Sequence, residues 1–142
     1  MKMMLALALA LGAGLVTTAS AETVRLANEP GGSIGGHIAK YQQLAARGVM
    51  VELSGTCTSA CTMVTGIIPS SRLCAWPGTV LRVHGGSFTS RRDGRTYNGG
   101  FTAEMEAHWS PALRAWAART GATKSLEFHN VAASAVGIRT CK

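Results

Sequence analysis

The stretch Gly55-Thr56-Cys57-Thr58-Ser59-Ala60-Cys61 lies between two segments of different character. Before it, Val49 to Leu53 has almost no polar content and reads as a strand; after it, Ala60 to Ile68 is apolar nearly throughout and reads as a helix buried on all sides. Ser59 is thereby placed where a strand passes into a helix. Further on, Val83-His84-Gly85-Gly86 ends a second apolar strand on a histidine. A serine attacks a carbonyl only if a base takes its proton and donors stabilise the oxyanion that forms. Ser59 is the candidate nucleophile and His84 the candidate base. The unpaired backbone N–H groups of a first helical turn face the space in front of such a serine. Ala60 N–H is one expected donor, and the bare backbone of the Gly31-Gly32 turn offers a second. The structural alternatives are a serine that caps a helix and a histidine that closes a strand.

Working outward, Glu22 to Ala27 alternates and predicts a short strand, and Asn28-Glu29-Pro30-Gly31-Gly32-Ser33 predicts a turn. A helix is expected from Ile34 to a stop at Gly48, with Ile34, Ile38, Tyr41 and Ala45 on one face and His37 in solvent. After Pro69, Arg72 to Trp76 and Thr79 to Val83 read as two short strands across a Pro77-Gly78 turn. Strand, helix and strand in alternation argue for an α/β fold with parallel pairing. Gly85 to Gly100 reads as a mobile basic loop without apolar period. Thr102 to Trp109 is an expected helix, and Ser110-Pro111 an N-cap and first position of another that runs to Thr120 and stops at Gly121. Met105, Trp109, Leu113 and Trp116 recur at helical spacing, as core or interface residues do. A strand at Leu126 to Phe128 and a helical turn within Ala132 to Ile138 complete the reading.

Residues 1–21 have the pattern of a cleavable signal peptide: Lys2, an apolar run from Met3 to Val16, and Ala19-Ser20-Ala21. Residues 22–142 then suffice for a single domain, expected in a periplasm or secreted. The full chain has 14 Lys plus Arg against 7 Asp plus Glu, a net charge of +7. The arginines are scattered apart from Arg91, Arg92 and Arg95, and aromatics are not interleaved with them, so no nucleic-acid partner is expected. Binding of acidic envelope polymers through these three arginines is a further alternative. In an oxidising compartment Cys57, Cys61, Cys74 and Cys141 read as two disulfides, for which three connectivities exist. The expected pairing is Cys61 with Cys74 and Cys57 with Cys141, fastening the serine turn outward. No metal is expected, because the C-x-x-x-C spacing is not repeated.

Pro30-Gly31-Gly32, Thr58-Ser59-Ala60, and Arg72 to Cys74 leading through Pro77 to Val83-His84 together resemble the ClpP-type serine proteases of the ClpP/crotonase superfamily, and small exported proteins with such a core. The interval from Ser59 to His84 is similar to that between nucleophile and base in ClpP. The resemblance covers about Pro30 to Gly85. It implies a core of short parallel strands alternating with helices, truncated at the N-terminus, with Ser59 as nucleophile, His84 as general base and oxyanion donors at Gly32 and Ala60, with Gly31 in the same turn. It also implies a peptide or small acyl substrate, no cofactor, and self-association into a homo-oligomer as an open option. Where the family carries its triad aspartate this chain has Lys124, Ser125 and Glu127. Glu127 is the expected orienting acid, with Asp93 as a second choice. For an exported chain no cytoplasmic ATPase partner is expected, so the implied activity is that of an ATP-independent peptidase. The alternative is an inactive ClpP-like binding or assembly module of the cell envelope.

Overall fold

The computed structural model describes residues 20–142; the expected signal peptide lies outside them apart from Ser20 and Ala21. The chain enters the fold as β1 (Thr23–Glu29), crosses over as α1 (Ile34–Ala46) and returns as β2 (Met50–Thr58), which pairs parallel with β1 from Thr23↔Met50 onward. Ser33 starts α1 by accepting from Gly36 N–H at 3.1 Å. β2 continues well past Leu53, where the sequence suggests it ends. Its extension is held by Asn28, whose side-chain oxygen accepts from Thr56 N–H at 3.1 Å, beside a register shift in β1. A tight helical turn (Ser59–Met63) and α2 (Val64–Ile67) follow, so the expected helix over Ala60 to Ile68 starts as a 3₁₀ turn.

β3 (Leu73–Ala75) and β4 (Val80–Val83) are not the two arms of a hairpin. Both run parallel to β2 along its second edge, β3 beside Val51–Leu53 and β4 beside Thr56–Thr58. Between them Trp76 to Thr79 bulges out while staying tied to the sheet: Trp76 N–H donates to Leu53 O at 2.9 Å, and Thr79 Oγ1 donates to Trp76 O at 2.6 Å.

The segment expected to be a mobile loop is instead a β-hairpin, β5 (Ser87–Thr89) with β6 (Thr96–Asn98). Cross-strand pairs hold it: Phe88 stacks on Tyr97 with centroids 5.6 Å apart, and Thr89 and Thr96 hydroxyls meet at 3.0 Å. Asp93 braces the tip, accepting from Tyr97 OH at 2.6 Å and Arg95 N–H at 3.0 Å. α3 (Thr102–Ala107) and α4 (Pro111–Thr120) follow, α4 capped by Ser110 and closed at Gly121 as the sequence suggests. β7 (His129–Ala132), slightly later than the expected strand, pairs antiparallel with β4. The fold is thus mixed α/β with a mostly parallel sheet, in the order β1-β2-β4-β7 with β3 also on β2. No helix among the described residues is long and apolar enough to cross a membrane.

The buried residues form one cluster. Val51, Leu53, Leu81 and Val83 from the sheet meet Tyr41 and Leu44 of α1, Val64 of α2, and Trp109, Leu113 and Ala117 around α4. The stripe of Met105, Trp109 and Leu113 is core, with Trp116 packed at its margin.

Both disulfides exist, but with a different connectivity from the one expected: Cys57 pairs with Cys61 and Cys74 with Cys141. The tight turn at Ser59 folds the end of β2 back onto the following helical turn, so residues four apart meet. Meanwhile the C-terminal segment runs beside β3, with Ala75 N–H donating to Arg139 O at 2.9 Å and Cys141 N–H to Ala75 O at 3.0 Å. That contact delivers Cys141 to Cys74. Glu52 lies near this second disulfide, but both sulfurs are consumed in their mutual bond and neither is a free thiolate ligand. Two disulfides are compatible with an extracytoplasmic protein.

Candidate active site

Ser59 is one of two non-glycine residues among those described with positive φ, at 56°. A side-chain-bearing residue in the left-handed region costs about 1–3 kcal/mol and persists only when its surroundings enforce it. Here they do. The Cys57–Cys61 disulfide spans the residue, and both half-cystines are buried. The carbonyl of Ser59 accepts from Thr62 Oγ1 at 2.6 Å, and that oxygen in turn accepts from Trp109 Nε1–H at 2.8 Å. Thr62 O accepts from Thr65 Oγ1 at 2.9 Å, which itself accepts from Ser110 N–H at 3.1 Å. Buried threonines are therefore paired without exception along this line, and they tie the serine turn to the entrance of α4.

β4 pairs with the same end of β2 and brings His84 to the serine. His84 Nε2 lies 2.7 Å from Ser59 Oγ, within ordinary hydrogen-bond reach. Burial holds the imidazole pKa below its usual 6.5, so the ring is neutral at pH 7 and able to accept a proton. When Nε2 accepts from the serine hydroxyl, the ring proton sits on Nδ1. Nδ1 is buried and has no hydrogen-bond partner among the described residues.

Neither candidate acid reaches that nitrogen. Glu127 is exposed, and Asp93 is engaged by Tyr97 and Arg95 at the hairpin tip. The tyrosine hydroxyl, with the Arg95 N–H, holds the Asp93 carboxyl below the usual carboxylate range. In place of an acid, Phe128 packs against the imidazole edge-on with centroids 4.7 Å apart, and the Arg82 guanidinium lies 4.4 Å from the Phe128 centroid. Just before β7 Phe128 packs on His84, while Glu127 lies in an exposed bend whose N–H donates to Ser125 Oγ at 3.3 Å.

The other predicted groups converge. Gly31 lies directly on the serine turn: with φ at +76°, a Cβ there would stand 2.5 Å from Thr58 O and 3.0 Å from Ser59 Cβ. No larger residue fits that approach. Gly32 follows it, and no turn or loop hydrogen bond among the described residues uses Gly31, Gly32 or Ala60 N–H as donor. Ala60 is second in its helical turn, where N–H groups have no partner inside the helix. His37 is not solvated as expected. Its side chain is largely covered, with Nδ1 2.9 Å from Ser33 O and Nε2 3.5 Å from Glu29 Oε1.

Three participants escape the sequence reading: Thr62, Trp109 as a hydrogen-bond donor, and Phe128. Thr62 has a local signal, since a threonine three residues after a turn residue can bond back to its carbonyl. Phe128 has none, because only the antiparallel return of β7 brings it to β4. No family model matches the chain, and no curated protein sequence matches it.

Proposed function

We propose that the protein is an exported serine hydrolase of ClpP/crotonase type, an ATP-independent peptidase that works through a Ser59–His84 dyad without a third member. The observation that carries this reading is the 2.7 Å contact between Ser59 Oγ and His84 Nε2, made by a serine in the left-handed region at a strand-to-helix junction. Nε2 takes the hydroxyl proton as Oγ attacks the substrate carbonyl carbon. Backbone N–H groups of Gly32 and Ala60 receive the oxyanion, and one such donor contributes roughly 10²- to 10³-fold in rate. The imidazolium then protonates the leaving amine, and water, deprotonated by the same ring, releases the acyl group from Ser59. The signal-peptide pattern at residues 1–21 and the two disulfides support a periplasmic or secreted setting.

A second reading has its own observation. The buried Nδ1, without a hydrogen-bond partner among the described residues, is what a retired site would present, and it favours an inactive binding or assembly module. One experiment separates them. An alkyl fluorophosphonate should label the oxidised wild-type protein and fail on Ser59→Ala and His84→Ala; absent or equal labelling across the three makes the protein a binding module.

A further inference from the structure

A solvent-open cavity of about 390 Å³ is lined by Gly32, Ser33, Ile34, Gly35, Ser87, Phe101 and Glu104. Ligand pockets run from roughly 300 to 1,000 Å³, so this one suits a single long side chain. It adjoins the dyad along the chain: Gly32 follows the glycine that lies on Ser59, and Ser87, the first residue of β5, is three residues beyond His84. The far wall is fixed to the link between His84 and β5: Gly86 N–H donates to Thr102 Oγ1 at 2.8 Å, and a Cβ at Gly86 would stand 2.5 Å from Thr102 N. α3 is thereby held against the chain leaving His84, which sets Phe101 and Glu104 across from Gly32.

The lining has a consistent chemistry. Ile34 and the Phe101 ring are apolar, and Glu104 is the only titratable residue in the wall. Its carboxylate makes no ion pair or side-chain hydrogen bond among the described residues. Glu104 is exposed and, like Glu127, makes no ion pair among the described residues, whereas Glu22, Glu29 and Glu52 each hold a basic side chain. An acid in the first turn of a helix also favours that helix through its dipole, so a purely structural role for Glu104 is the competing explanation. That role makes no demand on what enters the cavity.

We propose that this cavity receives the side chain of the residue on the acyl side of the scissile bond, and that it selects lysine or arginine. The proposal rests on the hydrolase reading. The carbonyl oxygen that Gly32 N–H would hold belongs to the acyl residue, so that residue's side chain is the one nearest Gly32. Its methylenes lie along Ile34, its cation passes the face of Phe101, and its N–H donors reach the Glu104 carboxylate.

The test compares inactivation of the oxidised protein by three peptidyl diphenyl phosphonates, with arginine, leucine or glutamate side chains at the acyl position, beside an alkyl fluorophosphonate that carries no residue. The expected result is inactivation by the arginine compound about tenfold faster than by the leucine compound, the scale of one charge-assisted hydrogen bond. In Glu104→Gln that ratio falls towards one while fluorophosphonate labelling is unchanged, and in Glu104→Lys the glutamate compound becomes the fastest. Equal rates for the three compounds with labelling intact overturn the subsite and leave the hydrolase standing. No labelling by any probe overturns both. A Glu104→Gln variant that slows every probe alike assigns Glu104 to the helix alone and also overturns the proposal.

Discussion

The two halves of the dyad are built to different standards. Around Ser59 the protein over-determines the geometry, with a disulfide across the residue, a threonine on its carbonyl, an indole on that threonine and a glycine pressed against its Cβ. Around His84 it specifies little beyond the strand. The ring is held by β4 and the edge contact with Phe128, and its Nδ1 has no acceptor among the described residues. A serine in the left-handed region resists its own geometry and has to be clamped, whereas a histidine at a strand end sits in relaxed backbone and needs no clamp. The orienting acid of a triad does a different job, fixing tautomer and stabilising the imidazolium, and its loss can cost about 10⁴ in rate. This protein therefore invests in placing the nucleophile and forgoes the help to the base.

Removing the clamp should give the largest effect. In the chain-entropy picture a disulfide closing so short a loop contributes about 2 kcal/mol, so Cys57→Ala/Cys61→Ala should lower unfolding free energy by about that much in urea titrations. It should also slow fluorophosphonate labelling, as Ser59 relaxes to negative φ. Unchanged labelling would mean that the Thr62 and Gly31 contacts suffice. Next, Thr62→Val keeps the shape but strands both the Ser59 carbonyl and the Trp109 indole, with an expected cost of about 1–3 kcal/mol in the same titration. Trp109 fluorescence should shift with it.

The His84 half can be sharpened instead of broken. The neutral imidazole is the active form and burial lowers its pKa, so the acid limb of the wild-type labelling profile should lie below 6.5. The linked contribution to stability has the same direction. The folded state binds fewer protons than the unfolded one, so stability is fully present above 6.5 and falls as pH drops towards the lowered value. Phe128→Asp places a carboxylate beside the imidazole. It should move the acid limb upward by about one pH unit or more, since a nearby opposite charge favours the imidazolium. A limb that stays put would show that the new carboxylate does not reach Nδ1. Least of all, Glu127→Gln should change stability by no more than about 0.5 kcal/mol and leave the labelling profile where it is, as for other exposed positions without a partner.

Much of the chain's local structure is legible in the residues. β1, the Ser33-capped α1, α4 between Ser110 and Gly121, and the strand–serine–helix order all follow from apolar period, caps and turn residues, which act within a few positions of one another. The local rules err where long-range pairing intervenes. Leu53 looks like a strand end, yet β2 runs on because β4 supplies a new partner beyond it. Gly85 to Gly100 lacks an apolar period, yet forms a hairpin from cross-strand pairs that a one-dimensional pattern does not register. Cysteine spacing leaves the disulfide pairing open, and the path of the C-terminus beside β3 decides it.

By itself the sequence determined which residues were worth bringing together: a serine between two cysteines after an apolar strand, a histidine ending the next, and a glycine pair where a donor would be useful. Those are local chemical facts, set by side-chain identity and backbone permissiveness. Only the tertiary structure decided that Ser59 Oγ and His84 Nε2 meet at 2.7 Å, and that Phe128 and not Glu127 packs against the imidazole. The reason is long-range pairing: the antiparallel return of β7 beside β4 brings Phe128 to the ring, while Glu127 lies in an exposed bend before the strand.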